Sequence, residues 1–275
     1  MSPLKGKRAL VTGASSGIGA AIARQLAAKG VDLVLVARRD DALGAVAASC
    51  TGVSVETVPY DLGTPGAATA VWTRANANGP IDICINNAGF GYHRRFEDVE
   101  MARDTEMIQL NVTTLVELSK LFIQSRAGKT ERGYLMNVGS IAAYQSTPNF
   151  AVYAATKAFV RNFTEALAYE HAGTPLSITC LTPGSTATEF HALAGAGTYS
   201  LIARKSMMAA EKCARIGLAA MERGKRNIIT GWINKVSCFG VRLVPRRFAA
   251  WVSTRVVGSP PRAQLPERAV KKGAA

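Results

Sequence analysis

The chain has 275 residues, of which 48% are hydrophobic and 19% charged, so it can bury one substantial core and we expect a single domain. Five scattered cysteines without a C-x-x-C pair predict neither a disulfide framework nor a zinc site and favour a reducing compartment. The amino end lacks the apolar stretch of a secretory signal, and no segment has the length and apolar character of a membrane span, so we expect a cytoplasmic protein.

The formal net charge of +14 is concentrated near the carboxyl end. The segment from Arg223 to Ala275 contains twelve Lys and Arg residues and one acidic residue, Glu267, whereas the preceding part of the chain is nearly neutral. No recognition motif or aromatic platform accompanies this charge, so we expect no nucleic-acid partner.

Short apolar runs alternate with helical patterns along the chain. We expect strands over 8–12, 31–37, 54–59, 81–86, 134–138, 177–182 and 227–230, with helices over 18–29 and 41–50 and further helical stretches between the later strands. This alternation predicts an α/β fold in which helices cover both faces of a parallel sheet.

A glycine-rich loop lies between the first strand and the first helix. Glycines in the pattern Gly13-x-x-x-Gly17-x-Gly19 remove the Cβ atoms that would keep a phosphate at a distance. The backbone amides and the helix dipole can then receive a pyrophosphate. We therefore expect the loop to bind a dinucleotide through Gly13, Ser15, Ser16, Gly17, Ile18 and Gly19.

The end of the second strand indicates which dinucleotide is bound. An acidic residue about twenty positions after the glycine-rich loop would bond the ribose 2′-hydroxyl of NAD, but Ala37, Arg38 and Arg39 stand there instead. Because an arginine can pair with a 2′-phosphate, the sequence favours NADP(H), with Arg38 and Arg39 as ligands. We interpret Asp40 and Asp41 as the start of the next helix.

A candidate acid/base pair lies in a later helical stretch. The spacing Tyr153-x-x-x-Lys157 places the phenol and the ammonium on one helix face, where the positive charge favours the ionised phenol. A tyrosine, whose pKa is ordinarily about 10, can then act as an acid or base closer to neutral pH. The spacing alone occurs by chance in many helices, so the interpretation depends on the glycine-rich loop and on Ser140 upstream.

Taken in order, these motifs resemble the classical short-chain dehydrogenase/reductase family over roughly residues 7–231. Further matching segments are Asp61-Leu62, Asn86-Asn87-Ala88-Gly89, Asn111 and Pro183-Gly184 followed by Thr188-Glu189-Phe190. The resemblance implies a Rossmann-type, doubly wound parallel sheet and an oxidoreductase that transfers hydride between NADP(H) and a carbonyl/alcohol pair. It also implies a homo-oligomer.

The resemblance assigns roles to individual residues. It implies a catalytic tetrad in which Tyr153 exchanges a proton with the substrate oxygen and Ser140 hydrogen-bonds the same oxygen. Lys157 would bind the nicotinamide ribose and lower the Tyr153 pKa, and Asn111 would hold a water that links Lys157 to solvent. Cofactor contacts are implied for Tyr153 and Lys157, for Asp61 and Leu62 beside the adenine, for Asn87, Ala88 and Gly89 at the centre, and for Pro183, Gly184, Thr186 and Thr188 at the nicotinamide end.

We interpret residues 1–231 as an NADP-binding catalytic domain and 232–275 as a basic, amphipathic C-terminal extension. A substrate loop is expected at about 189–208, and its apolar side chains favour a hydrophobic ketone or aldehyde. His191 is a further candidate substrate contact. The three histidines, His93, His171 and His191, lack metal-ligand spacing, so we expect no metal site.

The extension carries apolar residues at three- to four-residue spacing, and Lys235, Arg242 and Arg246 lie on another face. The pattern predicts two short amphipathic helices broken at Pro245. Either the apolar stripe lies in an anionic membrane surface, or it packs on the body as a lid or in a subunit interface. Its members are Val236, Phe239, Leu243, Phe248, Trp251 and Val252.

Two other functions fit the same motifs. A 3-oxoacyl thioester reductase would use the basic extension to meet an acidic carrier protein. A non-catalytic NADP-binding protein would use the extension to dock at a membrane or partner, but such a protein needs no proton donor, and the Ser140, Tyr153 and Lys157 set argues against it.

Overall fold

A parallel β-sheet forms the centre of the computed structural model, which describes residues 2–187 and 207–257. Its seven strands have the order β3-β2-β1-β4-β5-β6-β9, and every neighbouring pair is parallel. The strands are β1 Arg8–Thr12, β2 Asp32–Ala37, β3 Val55–Pro59, β4 Ile83–Asn86, β5 Gly133–Val138, β6 Leu176–Thr182 and β9 Asn227–Ile229. Strands β7 (Thr186–Ala187) and β8 (Met208–Ala209) form a separate parallel pair.

Helices connect these strands and cover both faces of the sheet. They are α1 Gly17–Ala27, α2 Asp40–Ala48, α3 Ala67–Asn76, α4 Met101–Ile108, α5 Leu115–Ser125, α6 Ala151–Glu170, α7 Ala210–Glu222, α8 Trp232–Gly240 and α9 Arg246–Val257. A π-helical turn, Gln109–Thr114, joins α4 to α5, and single 3₁₀ turns occupy Phe96–Asp98, Ile141–Tyr144 and Val241–Leu243.

Two apolar clusters, one on each face, hold the layers together. In β2, Leu33 and Leu35 enter the cluster beneath α1 and α7, whereas Val34 and Val36 enter the cluster beneath α3 and α5. The alternation follows from the two-residue repeat of a strand whose faces are both covered. Phe122 of α5 is fully buried in the second cluster, and burial of such a side chain contributes about 1.5–3 kcal/mol.

The predicted α/β fold with a doubly wound parallel sheet is confirmed. Each predicted strand is present, with ends displaced by up to two residues, and α1 and α2 each begin one residue earlier and end two residues earlier than expected. Asp40 and Asp41 open α2 as expected. The two helices of the extension are separated around Pro245, as the pattern predicts.

The extension exposes its large apolar residues to solvent. Cys238, Ala249 and Ser253 are buried, whereas every member of the apolar stripe except Val252 is exposed. In the described parts of the chain, no helix has both the length and the apolar character needed to cross a bilayer.

All five cysteines are buried free thiols. Burial raises the pKa of Cys84 to about 12 and those of Cys180, Cys213 and Cys238 to about 11. The pKa of Cys50 is also raised by burial. Since the thiolate is the reactive form, folding suppresses the reactivity of these thiols.

Candidate active site

The predicted site residues that the structure describes gather at the carboxyl edge of the sheet, where the ligand crevice of open α/β sheets lies. The chain reverses its direction of strand addition at β1, because β2 and β3 lie on one side of it and β4, β5, β6 and β9 on the other. Ligands of open α/β sheets bind at such a switch point. The glycine-rich loop follows β1 here, and the segments after β4, β5 and β6 bring the other candidates to the same edge.

The glycine-rich loop packs directly against the segment that follows β4. Gly13 has a φ of 65° and Gly17 a φ of 56°, in the left-handed region that favours glycine. A Cβ on Gly13 would lie 2.8 Å from Asn87 Nδ2 and 2.9 Å from Ala88 Cα, and a Cβ on Gly19 would collide with the Gly13 carbonyl oxygen. Larger residues would therefore force the two segments apart.

Thr12, for which the sequence predicted no role of its own, joins these two segments. Its Oγ1 donates to the Ile85 carbonyl oxygen at 3.2 Å and accepts from the backbone amides of Asn87 and Ala88, each at 3.0 Å. The side-chain Nδ2 of Asn87 donates to the carbonyl oxygens of Thr12 at 2.9 Å and Gly13 at 3.2 Å. The hydroxyl thus uses its donor and both acceptor sites.

The start of α1 fits a bound pyrophosphate. Ser16 occupies the N-cap position, but its side chain makes no capping bond, and the first turn of α1 contains no acidic residue. The first backbone N–H groups of the helix therefore lack the side-chain acceptor that usually satisfies them and point toward an anion site. Gly13 and Ser15 lie in the loop before α1, and Gly17, Ile18 and Gly19 lie in its first turn.

The two arginines after β2 contact different partners. Arg39 Nη2 is 3.1 Å from Ser16 Oγ and 3.4 Å from Ser15 Oγ, so this side chain reaches the glycine-rich loop. Arg38 is half exposed, and its Nη1 lies 3.3 Å from Glu106 Oε1 and 3.9 Å from Asp61 Oδ2. Arg39 therefore contacts the glycine-rich loop, and Arg38 lies between Asp61 and Glu106. Glu106 was missed because it comes from α4, far along the chain.

The Asp61-Leu62 segment is fixed by hydrogen bonds. Asp61 Oδ1 accepts from the Gly63 amide at 3.0 Å, and Leu62 is buried while its carbonyl oxygen accepts from Thr114 Oγ1 at 2.8 Å. Thr114 ends the π-helical turn, so the segment predicted to flank the adenine is anchored to the helix that carries Asn111.

Tyr153 and Lys157 lie one turn apart on α6. The Lys157 Nζ is 5.9 Å from the centroid of the Tyr153 ring and donates to the Val138 carbonyl oxygen at 2.8 Å. Lys157 is 5% exposed, and this burial lowers its pKa from 10.5 to about 8. The predicted pairing of the two side chains on one helix face is therefore present.

Asn111 joins α6 to the segment after β4. Its Nδ2 donates to the Phe90 carbonyl oxygen at 2.9 Å and to Thr156 Oγ1 at 3.1 Å, while its Oδ1 accepts from the Phe90 amide at 3.1 Å. Asn111 is fully buried and lies in the π-helical turn, a distortion that often marks functional positions.

Two glycines after β4 allow this close packing. A Cβ on Gly89 would lie 2.9 Å from Asn111 Oδ1 and 3.4 Å from Lys157 Nζ. A Cβ on Gly91 would lie 2.6 Å from Cδ2 of the Tyr153 ring, closer than real Cβ atoms come. Gly89 was predicted. Gly91 was not predicted, although the Gly89-x-Gly91 spacing could have indicated a second close approach of the backbone.

Ser140 follows β5 and caps the 3₁₀ turn that packs on α6. Its Oγ accepts from the Ala142 amide at 3.1 Å. The next residue, Ile141, donates its amide to the Pro183 carbonyl oxygen at 3.0 Å, which couples this turn to the segment after β6. A hydroxyl that accepts from the backbone still has its proton available to donate to a second oxygen.

Asn234 of α8 packs on the segment after β6 and was not foreseen. The Gly184 amide donates to Thr230 Oγ1 at 3.2 Å, and Thr186 Oγ1 donates to the Gly184 carbonyl oxygen at 3.0 Å. A Cβ on Gly184 would collide with the Asn234 amide. The first helix of the extension is therefore in contact with the expected nicotinamide end. Thr188, His191 and all of the expected substrate loop except 207 and 208 lie outside the described residues.

A buried polar network supports the floor of the crevice. Asn86 Nδ2 donates to Asn137 Oδ1 at 2.9 Å and to Ser119 Oγ at 3.1 Å, and Asn137 Nδ2 donates to Thr164 Oγ1 at 3.0 Å. These bonds join β4, β5, α5 and α6 beneath the candidate residues. Across residues 2–187 and 207–257, no cluster of three His, Cys, Asp or Glu side chains is arranged to hold a metal ion.

Comparisons with known proteins relate this geometry to a family. The model of the short chain dehydrogenase family matches residues 7–197. An uncharacterized oxidoreductase of Staphylococcus aureus is 33% identical over 208 residues, which cover 75% of this chain and 87% of the relative. The solved structure of a short-chain dehydrogenase from Sphingobium yanoikuyae in complex with NADPH is 30% identical, with a TM-score of 0.76 and coverage of 86% and 93%. A 7β-hydroxysteroid dehydrogenase structure is 26% identical, with a TM-score of 0.82 and coverage of 91% and 97%.

Proposed function

Because this chain belongs to the short chain dehydrogenase family and is an oxidoreductase, we propose that it transfers hydride between NADP(H) and a carbonyl/alcohol pair, with a hydrophobic ketone or aldehyde as the carbonyl form. The observation that carries the proposal is the buried Lys157 ammonium 5.9 Å from the Tyr153 ring, at the edge of a crevice that fits a dinucleotide. The similarity to a hydroxysteroid dehydrogenase supports a bulky apolar substrate.

In this proposal the side chains supply the proton and hold the oxygen. The Tyr153 phenol gives its proton to the carbonyl oxygen during reduction, and the Lys157 ammonium favours the phenolate that remains. The Ser140 hydroxyl donates to the same oxygen, where negative charge develops. Asn111 fixes α6 against the Gly89–Gly91 segment and holds a water beside Lys157. The bound nicotinamide supplies the hydride.

The same crevice would hold the cofactor. The amides at the start of α1 receive the pyrophosphate, and the residues after β2 and β3 lie beside the adenosine part. The proposed cofactor contacts are Gly13, Ser15, Ser16, Gly17, Ile18, Gly19, Arg38, Arg39, Asp61, Leu62, Asn87, Ala88, Gly89, Tyr153, Lys157, Pro183, Gly184, Thr186 and Thr188.

The reaction is tested with a panel of ketones, aldehydes and 3-oxoacyl thioesters, with NADPH oxidation followed by absorbance. We expect turnover of hydrophobic carbonyl compounds, and we expect Tyr153→Phe to lower kcat by about 10²- to 10⁴-fold while NADPH binding persists. Tyr169→Phe, at a tyrosine that is 66% exposed, is the matched control and should leave kcat unchanged. NADPH binding without turnover of any compound would contradict the proposal and support the docking protein, and turnover of thioesters alone would select the thioester reductase.

The nucleotide preference is tested at the two arginines after β2. Arg38→Ala and Arg39→Ala should each weaken NADPH binding by about 10-fold or more, because a charge-assisted bond to the 2′-phosphate is lost, and should leave NADH binding nearly unchanged. Arg95→Ala removes another exposed arginine, one that pairs with Glu97 and not with the residues around the glycine-rich loop, and is the control. Binding constants from NAD(P)H fluorescence decide the matter, and equal losses for the two nucleotides would rule out 2′-phosphate recognition by these residues.

We also propose that the protein is a cytoplasmic homo-oligomer, divided into a catalytic domain at 1–231 and an extension at 232–275. The helices that carry Asn111 and Tyr153 are the proposed subunit contacts. The substrate is a small molecule.

A further inference from the structure

The exposed apolar residues of the described chain are concentrated in the extension. Eight of the fourteen exposed large hydrophobic side chains belong to it, and they are 48–73% exposed. We call this set the extension face: Trp232, Ile233, Val236, Phe239, Leu243, Phe248, Trp251 and Val256. The other six are spread over the rest of the described residues. A grouped apolar surface of this kind marks an interaction site, whereas isolated exposed residues do not.

The helices that present this face are cationic. Between Trp232 and Val257 the chain has five basic residues and no acidic residue. The basic residues are Lys235, Arg242, Arg246, Arg247 and Arg255, and all of them are exposed. The Arg255 guanidinium lies 5.1 Å from the centroid of the Trp251 ring, so charge and aromatic surface are presented together.

We propose that the extension face docks the protein on a lipid surface rich in anionic headgroups. Short helices that expose Trp, Phe and Leu among Lys and Arg bind in the plane of such a surface, where the apolar side chains enter the headgroup boundary and the cations meet the phosphates. Trp232 and Trp251 have the amphipathic ring that favours this boundary.

A second copy of the chain fits this face less well. A twofold interface brings the same surface of the two subunits together, so it would bring two sets of five cations close to one another, and Trp232–Val257 contains no acidic residue to separate them. A lid over the crevice is also disfavoured, because a lid would bury its large apolar side chains, whereas those of the extension face are 48–73% exposed.

Docking would place the edge of the crevice beside the lipid. Helix α8 begins directly after β9, at the carboxyl edge of the sheet, and its Asn234 packs on Gly184. A hydrophobic carbonyl compound dissolved in the bilayer would then reach the crevice without crossing much water. This consequence rests on the proposed function, but the docking itself does not.

The test is co-sedimentation of the full chain with vesicles of phosphatidylcholine alone or mixed with phosphatidylglycerol. We expect binding only to the mixed vesicles, weakened by salt, with a blue shift of tryptophan fluorescence. The double variants Phe239→Ala/Trp251→Ala and Arg246→Gln/Arg247→Gln should each lower the vesicle affinity by about 10-fold or more. Phe96→Ala/Met101→Ala and Arg95→Gln/Lys120→Gln, at exposed residues of the body, are the matched controls.

Each contrary outcome overturns the proposal. It fails if the full chain binds neither kind of vesicle, if it binds both equally, or if the control variants lose as much affinity as the extension variants. It also fails if light scattering shows self-association that Phe239→Ala/Trp251→Ala abolishes while vesicle binding is absent, because the partner is then a second copy. NADPH binding of every variant checks the fold, and vesicle binding without turnover would contradict the proposed function alone.

Discussion

At the scale of single residues, Gly91 fixes how closely the chain approaches the Tyr153 ring. In Gly91→Ala the new Cβ would lie 2.6 Å from the ring, so the phenol must move. Misplacement of a reacting group by about 1 Å lowers the rate by about 100-fold, and we expect kcat/KM to fall between about 10- and 100-fold. The strain should lower the free energy of unfolding by about 1–3 kcal/mol. Steady-state kinetics and urea unfolding measure the two effects.

Gly44→Ala is the matched control for this substitution. Gly44 lies in α2, and a Cβ there meets no atom within 4 Å. Alanine should therefore leave kcat/KM unchanged and raise the free energy of unfolding by about 0.5–1 kcal/mol, because it has the higher helix propensity. If Gly91→Ala retained the kcat/KM of Gly44→Ala, the contact with Gly91 would not position Tyr153.

Lys157 makes stability and cofactor binding depend on pH. Burial lowers its pKa from 10.5 to about 8, so between these values the folded chain has lost a proton that the unfolded chain keeps. Stability then rises with pH across this window, because the unfolded state binds more protons. NADPH affinity should fall above about pH 8, because the ammonium that would bind the ribose is neutralised.

Urea unfolding and NADPH binding from neutral pH to about pH 10 test the role of Lys157. The Lys157→Met variant has no titrating group at this position. The free energy of unfolding of the native chain should therefore rise relative to that of the variant as pH rises. NADPH binding by the variant should be weak at every pH. Parallel stability curves for the two proteins would show that Lys157 does not titrate in this range.

At the scale of elements, the strands were predictable and the π-helical turn was not. A strand such as β1 is covered on both faces, so it reads as an uninterrupted apolar run bounded by the glycine-rich loop. The wider turn at Gln109–Thr114 leaves no comparable signal, because it accompanies the bonds that Asn111 makes to Phe90 and Thr156. Those partners come from other parts of the chain.

Contacts between distant elements explain the site residues that were missed. Gly91 and Asn234 belong to segments with ordinary local patterns, and their importance lies in what the fold places against them. The order of the family's motifs led to Asn111, Ser140, Tyr153 and Lys157, and the roles of these four remain proposals. Local spacing identifies side chains that share one helix face, but not those that meet across the crevice.

The orientation of the extension helices could not be predicted from their sequence pattern. The spacing of the apolar residues predicted two amphipathic helices and their break, which the structure has. It did not reveal which side faces the body. The buried side is made of small residues, Cys238, Ala249 and Ser253, and the more hydrophobic side is exposed.

At the scale of the whole molecule, the crevice and an ion-pair cluster lie at opposite edges of the sheet. Near the amino end of β4, Arg126 is buried and donates to Asp82 Oδ1 at 3.0 Å and to the Glu131 carbonyl oxygen at 2.7 Å. Arg126→Met should lower the free energy of unfolding by about 3 kcal/mol, because both acceptors lose their donor, and should leave kcat unchanged. Urea unfolding and steady-state kinetics test the two expectations.

Arg24→Met is the control, because Arg24 and Glu211 form an exposed pair that contributes at most about 1 kcal/mol. If Arg126→Met lowered kcat in the folded protein, the two edges would not be independent. An unfolding free energy equal to that of Arg24→Met would show that the buried pair adds little.

The five buried thiols can report which part of the fold opens, because a buried thiol reacts only when it becomes exposed. Cys84 and Cys180 lie in the central strands β4 and β6, so an alkylating reagent reaches them only when the sheet itself opens. Cys238 lies on the inner side of α8 and is reached as soon as the extension lifts from the body. The labelling rates at these positions therefore separate detachment of the extension from global unfolding in one unmodified chain.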